Sequence, residues 1–209
     1  GEGLTTEHER VAAGVPLHGA NLFPPEVPEL RAAVLAHMSA MTFLGRRLME
    51  ALGHYLDVYP AVIDELCVEP TVLFRIFRYP STASDAELGG NVPGQWGVAE
   101  HTDYGLLTML DQDDHGGLEV CIEGEWLTVE PDPDALVCNL GDMLERMTGG
   151  RFRSTRHRVR RPDHGERMSF PFFFDPAWNA TIPRLGHPVT GDGGASRWDA
   201  QDPVAYAGT

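Results

Sequence analysis

The chain has 209 residues, of which 42% are hydrophobic, so it is long enough for one domain with a sizeable core. Its formal net charge of −15 disfavours binding to nucleic acid or to anionic membranes, and no apolar run approaches the length of a membrane span. The cysteines Cys67, Cys121 and Cys138 are odd in number and lack metal-type spacing, which indicates buried free thiols in a reducing compartment. We therefore expect a cytoplasmic protein, and no feature indicates an obligate protein partner.

The first 70 residues predict a loop followed by a helical scaffold. Residues 1–21 have the composition of a loop, residues 28–56 form one long amphipathic helix, and residues 61–66 form a short second helix. The long helix is predicted because apolar residues recur at three- and four-residue steps, at Leu30, Val34, Met38, Met41, Leu44, Leu48, Ala51 and Leu52.

From residue 71 onward, short apolar strands alternate with turns, which is typical of a β-sandwich or barrel. The predicted strands are residues 71–79, 106–110, 118–122, 126–129, 135–139, 152–159 and 168–174. Glu123-Gly124-Glu125 predicts a hairpin turn, and a helix of one or two turns is predicted at residues 142–147. The fold class is therefore mainly β with flanking helices. A loop at residues 81–97 is expected to form one rim of an active-site mouth.

His101 and Asp103 form a candidate metal-binding pair, because residues two apart on an extended strand face the same side. His157 supplies a candidate third ligand. Two histidines and one carboxylate suit Fe(II) in non-heme oxygenases, although the same donors also suit Zn²⁺. A lone His-x-Asp pair is commonly a hydrogen-bonded surface pair, so the metal interpretation depends on the residues that follow His157.

Arg167 and Ser169 also lie two residues apart, on a predicted strand that is otherwise aromatic. An arginine that faces a core requires an anion. Its planar guanidinium matches a carboxylate through two hydrogen bonds, and a nearby hydroxyl adds another. The sequence therefore predicts a carboxylate-binding pair on this strand.

Strand alternation also indicates residues of a substrate pocket. Counting onward from Ser169 places Phe173 on the same face. On the predicted strand at residues 71–79, Tyr79 shares a face with Phe77 and Arg75, which combines aromatic rings with a candidate anion partner. Simple core packing is an equally good explanation of the two phenylalanines.

Taken together, these motifs resemble the isopenicillin N synthase-like Fe(II)/2-oxoglutarate-dependent oxygenases over roughly residues 70–178. In chain order the matching motifs are His101-Thr102-Asp103-Tyr104-Gly105, Gly116-Gly117-Leu118-Glu119-Val120, Asn139-Leu140-Gly141-Asp142-Met143-Leu144, Ser154-Thr155-x-His157-Arg158-Val159 and Arg167-x-Ser169. The resemblance implies a double-stranded β-helix, or jelly-roll, at residues 71–178, packed on the long helix. Residues 1–70 would be its loop and helical scaffold and residues 179–209 a C-terminal tail, all in one domain without the family's N-terminal region.

The resemblance also assigns roles to the candidate residues. His101, Asp103 and His157 would bind Fe(II), Arg167 and Ser169 would hold the distal carboxylate of 2-oxoglutarate, and Tyr79 would lie close to that co-substrate. The implied activity uses O₂ to couple oxidative decarboxylation of 2-oxoglutarate to hydroxylation, or a related C–H oxidation, of a small organic substrate.

Two alternatives remain open. The first is an oxidase of the isopenicillin N synthase type, in which Arg167 would hold the carboxylate of the substrate itself and 2-oxoglutarate would not be required. The second is a jelly-roll without catalytic activity that binds a metal ion or a small ligand. The residues do not identify the substrate.

Overall fold

The computed structural model describes residues 4–82, 96–185 and 204–205. The chain forms two compact units, Gly1–Ala40 and Met41–Thr209. Most of the predicted rim loop, at residues 83–95, and most of the predicted C-terminal tail, at residues 186–203 and 206–209, lie outside the described residues. In the part that is described, no helix has both the length and the apolar character needed to cross a bilayer.

The stretch predicted as an N-terminal loop contains one helical turn, α1, at Glu9–Ala12. The helix begins after His8, whose Nδ1 accepts a hydrogen bond from the backbone N–H of Arg10 at 3.2 Å. This side-chain acceptor satisfies one of the backbone donors that every helix start leaves unpaired. The loop prediction was therefore wrong over these residues, because a histidine is an uncommon helix cap.

Helix α2 spans Pro28–Tyr55, and helix α3 spans Pro60–Leu66. The buried residues of α2 are Met41, Gly45, Met49 and Gly53, which recur every four residues on one face. A Cβ added at Gly45 would lie 2.5 Å from a ring carbon of Phe174, so a glycine is needed for this close approach. The leucines of the predicted apolar stripe are only half-buried. The buried face of α2 is therefore built mainly from small residues and methionines.

Two antiparallel sheets make up the core of Met41–Thr209. The first contains β1 (Pro70–Phe74), β2 (Phe77–Pro80), β4 (Leu107–Gln112), β7 (Val137–Leu140) and β9 (Glu166–Ala177). Its order is β1-β9-β4-β7, and β2 also pairs with β9. The second contains β3 (Trp96–His101), β5 (Leu118–Ile122), β6 (Glu125–Val129) and β8 (His157–Arg160), in the order β3-β8-β5-β6.

The remaining elements are short. Helix α4 spans Asp142–Met147, as predicted. Strands β10 (Thr181–Ile182) and β11 (Val204–Ala205) form a separate two-stranded pair. Strands β5 and β6 form the predicted hairpin, in which Glu123 and Gly124 have φ angles of 51° and 90°. Positive φ at both positions is the geometry of a type I′ turn, which explains the glycine at the second one.

The observed strands differ most from the predicted ones at three places. The strand at residues 71–79 is interrupted at Arg75 and Ile76, which gives β1 and β2. Strand β3 falls partly in the predicted loop at residues 81–97 and was missed. The strand predicted at residues 152–159 begins only at His157, because the backbone before it bonds elsewhere: the N–H of Ser154 donates to Glu145 Oε2 at 2.7 Å.

The cysteines are free, but their burial differs from the prediction. Cys67 is buried, Cys121 is half-buried and Cys138 is exposed. Cys138 lies on β7, where alternation turns it away from the inner face that Val137 and Asn139 share. An apolar strand therefore does not bury every residue on it, and the prediction of three buried thiols was wrong.

Candidate metal and co-substrate site

A cavity of about 440 Å³ lies between the two sheets and is lined by residues of both. Its volume is in the range of roughly 300–1,000 Å³ that is common for small-molecule sites. All nine candidate site residues line this cavity: Arg75, Phe77, Tyr79, His101, Asp103, His157, Arg167, Ser169 and Phe173.

The three candidate metal ligands meet at one point. His101 pairs with His157 across β3 and β8, and their ring centroids are 4.2 Å apart. Asp103 Oδ1 lies 3.6 Å from His101 Nε2 and 3.7 Å from His157 Nε2. A single ion at about 2.1 Å from each donor requires separations of this order. The three residues can therefore hold one metal ion.

Hydrogen bonds fix which nitrogen of each imidazole faces the other ligands. The Nδ1 of His101 lies 2.8 Å from the carbonyl oxygen of Ala99, and the Nδ1 of His157 lies 3.0 Å from that of Thr155. A carbonyl oxygen can only accept, so each Nδ1 carries a proton and each Nε2 is the nitrogen that can offer a lone pair to a metal ion. Both histidines are thus held in the tautomer that metal coordination through Nε2 requires.

Asp103 is oriented by two side chains that sequence reasoning missed. Its Oδ2 accepts hydrogen bonds from Thr108 Oγ1 and from Asn139 Nδ2, each at 2.6 Å. These two donors occupy Oδ2, so Oδ1 is left to face His101 and His157. The sequence feature that could have identified them is a polar residue on the inner face of an apolar strand. Thr108 lies on β4 and Asn139 lies on β7.

The reason given for pairing His101 with Asp103 was wrong, although the two side chains do converge. Residue His101 ends β3, and Asp103 lies beyond it in the connection to β4. Strand alternation therefore does not apply to Asp103. The hydrogen bonds to Oδ2, together with the bond from the N–H of Asp142 to the carbonyl oxygen of Asp103 at 2.7 Å, turn the side chain inward instead.

Arg167 is the main charged residue in the part of the cavity wall that the metal ligands do not occupy. It is only 1% exposed. Its Nε donates to the carbonyl oxygen of Gly116 and its Nη2 donates to Gln112 Oε1 at 2.9 Å. Its Nη1 has no hydrogen-bond partner among the described residues. Burial lowers the pKa of Arg167, while Tyr79 and Asp113 act in the opposite direction. A buried cation with an unpaired donor requires an acceptor, and a carboxylate supplies one.

The side chains of β9 point to two opposite faces of the strand. Ser169 and Phe173 line the cavity, as Arg167 does, whereas Phe172 and Phe174 are fully buried away from it. Opposite β9, the strand β2 places Tyr79 beside Arg167 and Phe77 beside Ser169. The ring of Tyr79 lies 5.0 Å from the Arg167 Cζ. The predicted co-substrate and substrate residues are thus adjacent on one wall.

Two facing antiparallel sheets with two histidines and one aspartate between them define a jelly-roll protein with the ligand set of non-heme Fe(II) oxygenases. The family model of the 2OG-Fe(II) oxygenase superfamily matches residues 70–176, and the chain belongs to this superfamily. The predicted family and fold class, mainly β with a jelly-roll core, are confirmed.

Two curated relatives and one solved structure illustrate the similarity. A Dictyostelium discoideum protein named as a probable iron/ascorbate oxidoreductase is 40% identical over 95% of this chain and 60% of its own length. The 2-oxoglutarate-dependent dioxygenase citB of Monascus ruber is 34% identical over 97% of this chain and 61% of its own. A 2OG-Fe(II) oxygenase family protein from Caulobacter crescentus is 28% identical, with a TM-score of 0.78 over 98% of this chain and 64% of its own. The chain thus spans about 60% of the length of the curated relatives.

Proposed function

We propose that the protein is an Fe(II)- and 2-oxoglutarate-dependent oxygenase. It would use O₂ to couple oxidative decarboxylation of 2-oxoglutarate to hydroxylation, or a related C–H oxidation, of a small organic molecule. One observation carries this proposal: a single cavity contains three convergent metal ligands and a buried arginine with an unpaired donor.

The metal end of the cavity fits Fe(II). His101, Asp103 and His157 would hold the ion through two nitrogen atoms and one oxygen atom, which leaves other coordination positions open. When bound, the iron and 2-oxoglutarate supply the oxidative chemistry with O₂. The protein's contribution is to hold each ligand atom in place, through Ala99 and Thr155 for the imidazoles and through Thr108 and Asn139 for the carboxylate.

The arginine end fits the distal carboxylate of 2-oxoglutarate. Arg167 would bind it through Nη1, and the hydroxyl of Ser169, two positions along β9, would donate a second hydrogen bond. Tyr79 would cover one side of the bound co-substrate, since its ring already lies against Arg167. The anion would offset the cost of burying the guanidinium, because a buried charge is stable only when it is paired.

The substrate would occupy the part of the cavity lined by Phe173, Phe77 and Arg75. Aromatic walls of this kind position an organic molecule and exclude water from it. We also propose that the protein works in the cytoplasm and requires neither nucleic acid nor an obligate protein partner. Free cysteines among the described residues and the net charge of −15 support this part of the proposal.

The test is anaerobic binding followed by aerobic turnover. Protein reconstituted with Fe(II) should bind 2-oxoglutarate by calorimetry and convert it to succinate when O₂ is admitted. Losing a buried charged pair costs about 2–5 kcal/mol and losing one hydroxyl hydrogen bond costs about 1 kcal/mol. Arg167→Ala should therefore weaken 2-oxoglutarate binding by roughly 30-fold or more, and Ser169→Ala by roughly fivefold.

Two variants complete this experiment. Asp103→Ala should abolish both iron binding and succinate formation, whereas Arg47→Ala, at an exposed position of α2, should change neither. Iron binding and oxidative turnover of a substrate without any affinity for 2-oxoglutarate would favour the oxidase alternative. Metal binding without oxidative turnover would favour a jelly-roll that lacks catalysis.

A further inference from the structure

The cavity contains a second arginine that the proposed co-substrate does not use. Arg75 lies at the break between β1 and β2, where its backbone N–H donates to the carbonyl oxygen of Pro171 at 3.1 Å. Its Cζ lies 6.0 Å from the ring centroid of Phe77 and 5.7 Å from that of Phe173. These contacts hold the guanidinium beside two aromatic faces. Arg75 is exposed where it lines the cavity, so water solvates its charge until an anion binds.

The other charged groups of the cavity have different surroundings. Asp103 belongs to the metal ligands, and Arg167 is the proposed partner of 2-oxoglutarate. The strand register places Asp175 opposite Thr71, with its carboxylate packed against Gly105. None of the ion pairs formed by the described residues includes Arg75.

The residues beside Arg75 are apolar. Leu73, Phe77, Pro171 and Phe173 all line the cavity, and Phe173 pairs with Thr108, which donates to the metal ligand Asp103. An apolar surface thus extends from the arginine to the strand position that supports the metal site. A molecule bound along it would have its charged end at Arg75 and its apolar part nearer the metal ligands.

We propose that the primary substrate is a small carboxylic acid with an apolar body, and that Arg75 binds its carboxylate. Phe77 and Phe173 would pack against the apolar body, so that oxidation takes place on that body rather than beside the carboxylate. A carboxylate fits better than a phosphate, since one guanidinium satisfies a carboxylate through two hydrogen bonds and the described residues next to Arg75 in the cavity lining, Leu73, Phe77, Pro171 and Phe173, offer no further cationic donor for a dianion. This inference rests on the proposed function, in which Arg167 is occupied by 2-oxoglutarate.

The test compares acids with matched neutral amides. Protein loaded with Zn²⁺, which is redox-inert, and with saturating 2-oxoglutarate is titrated by calorimetry with phenylacetate, phenylacetamide, octanoate, octanamide and phenylphosphonate. At least one acid should bind tighter than its amide by about tenfold or more, the effect of one charge-assisted pair. Arg75→Gln should remove this preference, Arg75→Lys should retain part of it, and 2-oxoglutarate affinity should stay within about twofold of the wild-type value.

Arg151→Gln is the matched control, because the Arg151 Cζ lies 5.0 Å over the ring of Tyr55 and outside the cavity lining. It makes the same change of charge and removes a similar cation–ring contact, and it should leave the preference for acids intact. The proposal is overturned if no acid is preferred to its amide, if Arg75→Gln keeps the preference, if Arg151→Gln loses it equally, or if only phenylphosphonate binds.

A failure of this inference can be distinguished from a failure of the proposed function. If 2-oxoglutarate does not bind at all, the proposed function fails, and the same acids are then titrated into Arg167→Ala protein. A preference for acids that persists in that variant, and that Arg75→Gln removes, would support a carboxylate site at Arg75 even in that case. Its absence there would overturn the inference.

Discussion

Thr108→Val is the sharpest test of how the metal site is held together. Valine has nearly the shape of threonine and suits a β-strand, so the substitution removes one hydroxyl and little else. Thr108 is 5% exposed, and its Oγ1 donates to Asp103 Oδ2 at 2.6 Å. Without it, Asn139 alone would hold the carboxylate, and Oδ1 would be free to rotate away from the two imidazoles.

The expected magnitude follows from that one contact. A hydrogen bond to a charged group contributes about 1.5–3 kcal/mol, and tenfold in affinity corresponds to about 1.4 kcal/mol. Thr108→Val should therefore weaken metal binding by roughly 10- to 100-fold, which is the usual effect of losing a partner that orients a ligand. Competition with a chelator under anaerobic conditions measures the affinity for Fe(II), and the same titration with Zn²⁺ provides a redox-inert check.

Thr128→Val is the matched control, since Thr128 is exposed on β6 and lies outside the cavity lining. It should bind metal like the wild type. Adding Asn139→Ala to Thr108→Val should cost less than the sum of the two single changes, because both donors act on the same oxygen atom. If Thr108→Val bound metal as tightly as Thr128→Val, the hydrogen bonds to Oδ2 would not control the position of Oδ1.

Four further predictions concern stability, turnover and thiol chemistry. Phe174→Ala should lower the free energy of unfolding by roughly 3–5 kcal/mol in denaturant titrations, because Phe174 is fully buried. Phe173→Ala should lower it by less, because Phe173 lines the cavity. It should instead raise the ratio of succinate to oxidised product. Gly45→Ala should lower the melting temperature, since the added Cβ would press on the ring of Phe174. Burial raises the pKa of the Cys67 thiol to about 12 and also raises the pKa of the Cys138 thiol, but only Cys138 is exposed to the reagent. Iodoacetamide at pH 8 should therefore modify Cys138 faster than Cys67 in native protein. The unfolded thiol ionises near pH 8.5, so Cys67 should make stability fall as the pH rises from about 9 to 12. Thiol labelling of Cys67 at the rate of Cys138, or a Phe173→Ala protein as unstable as Phe174→Ala, would contradict these assignments.

Strand alternation predicted the cavity face of β9 well because that strand is long and unbroken. Arg167, Ser169 and Phe173 fall on one face, because the register shift of β9 against β1 lies beyond them, between Asp175 and Ala177. The catalytic and binding roles of these residues remain predictions, but their placement along one wall follows directly from a period of two.

The same reasoning failed where the chain leaves a strand. Asp103 lies in a connection, where side-chain hydrogen bonds rather than backbone alternation decide its direction. Those partners come from β4 and β7, and a sequence read locally does not reveal which strands become neighbours. Thr108 and Asn139 were therefore missed, although each is a polar residue on the inner face of an apolar strand.

The arrangement of the metal ligands has a consequence for the rigidity of the fold. His101 and His157 belong to the second sheet, whereas Thr108 and Asn139, which hold Asp103, belong to the first. A metal ion bound to all three ligands would cross-link the two sheets through Asp103. Because such an ion binds only the folded chain, a concentration about 100 times its dissociation constant adds about 2.7 kcal/mol to folding. In the proposed function, the ion that takes part in the reaction would then also stabilise the fold, and removing it would loosen the jelly-roll where the two sheets face each other.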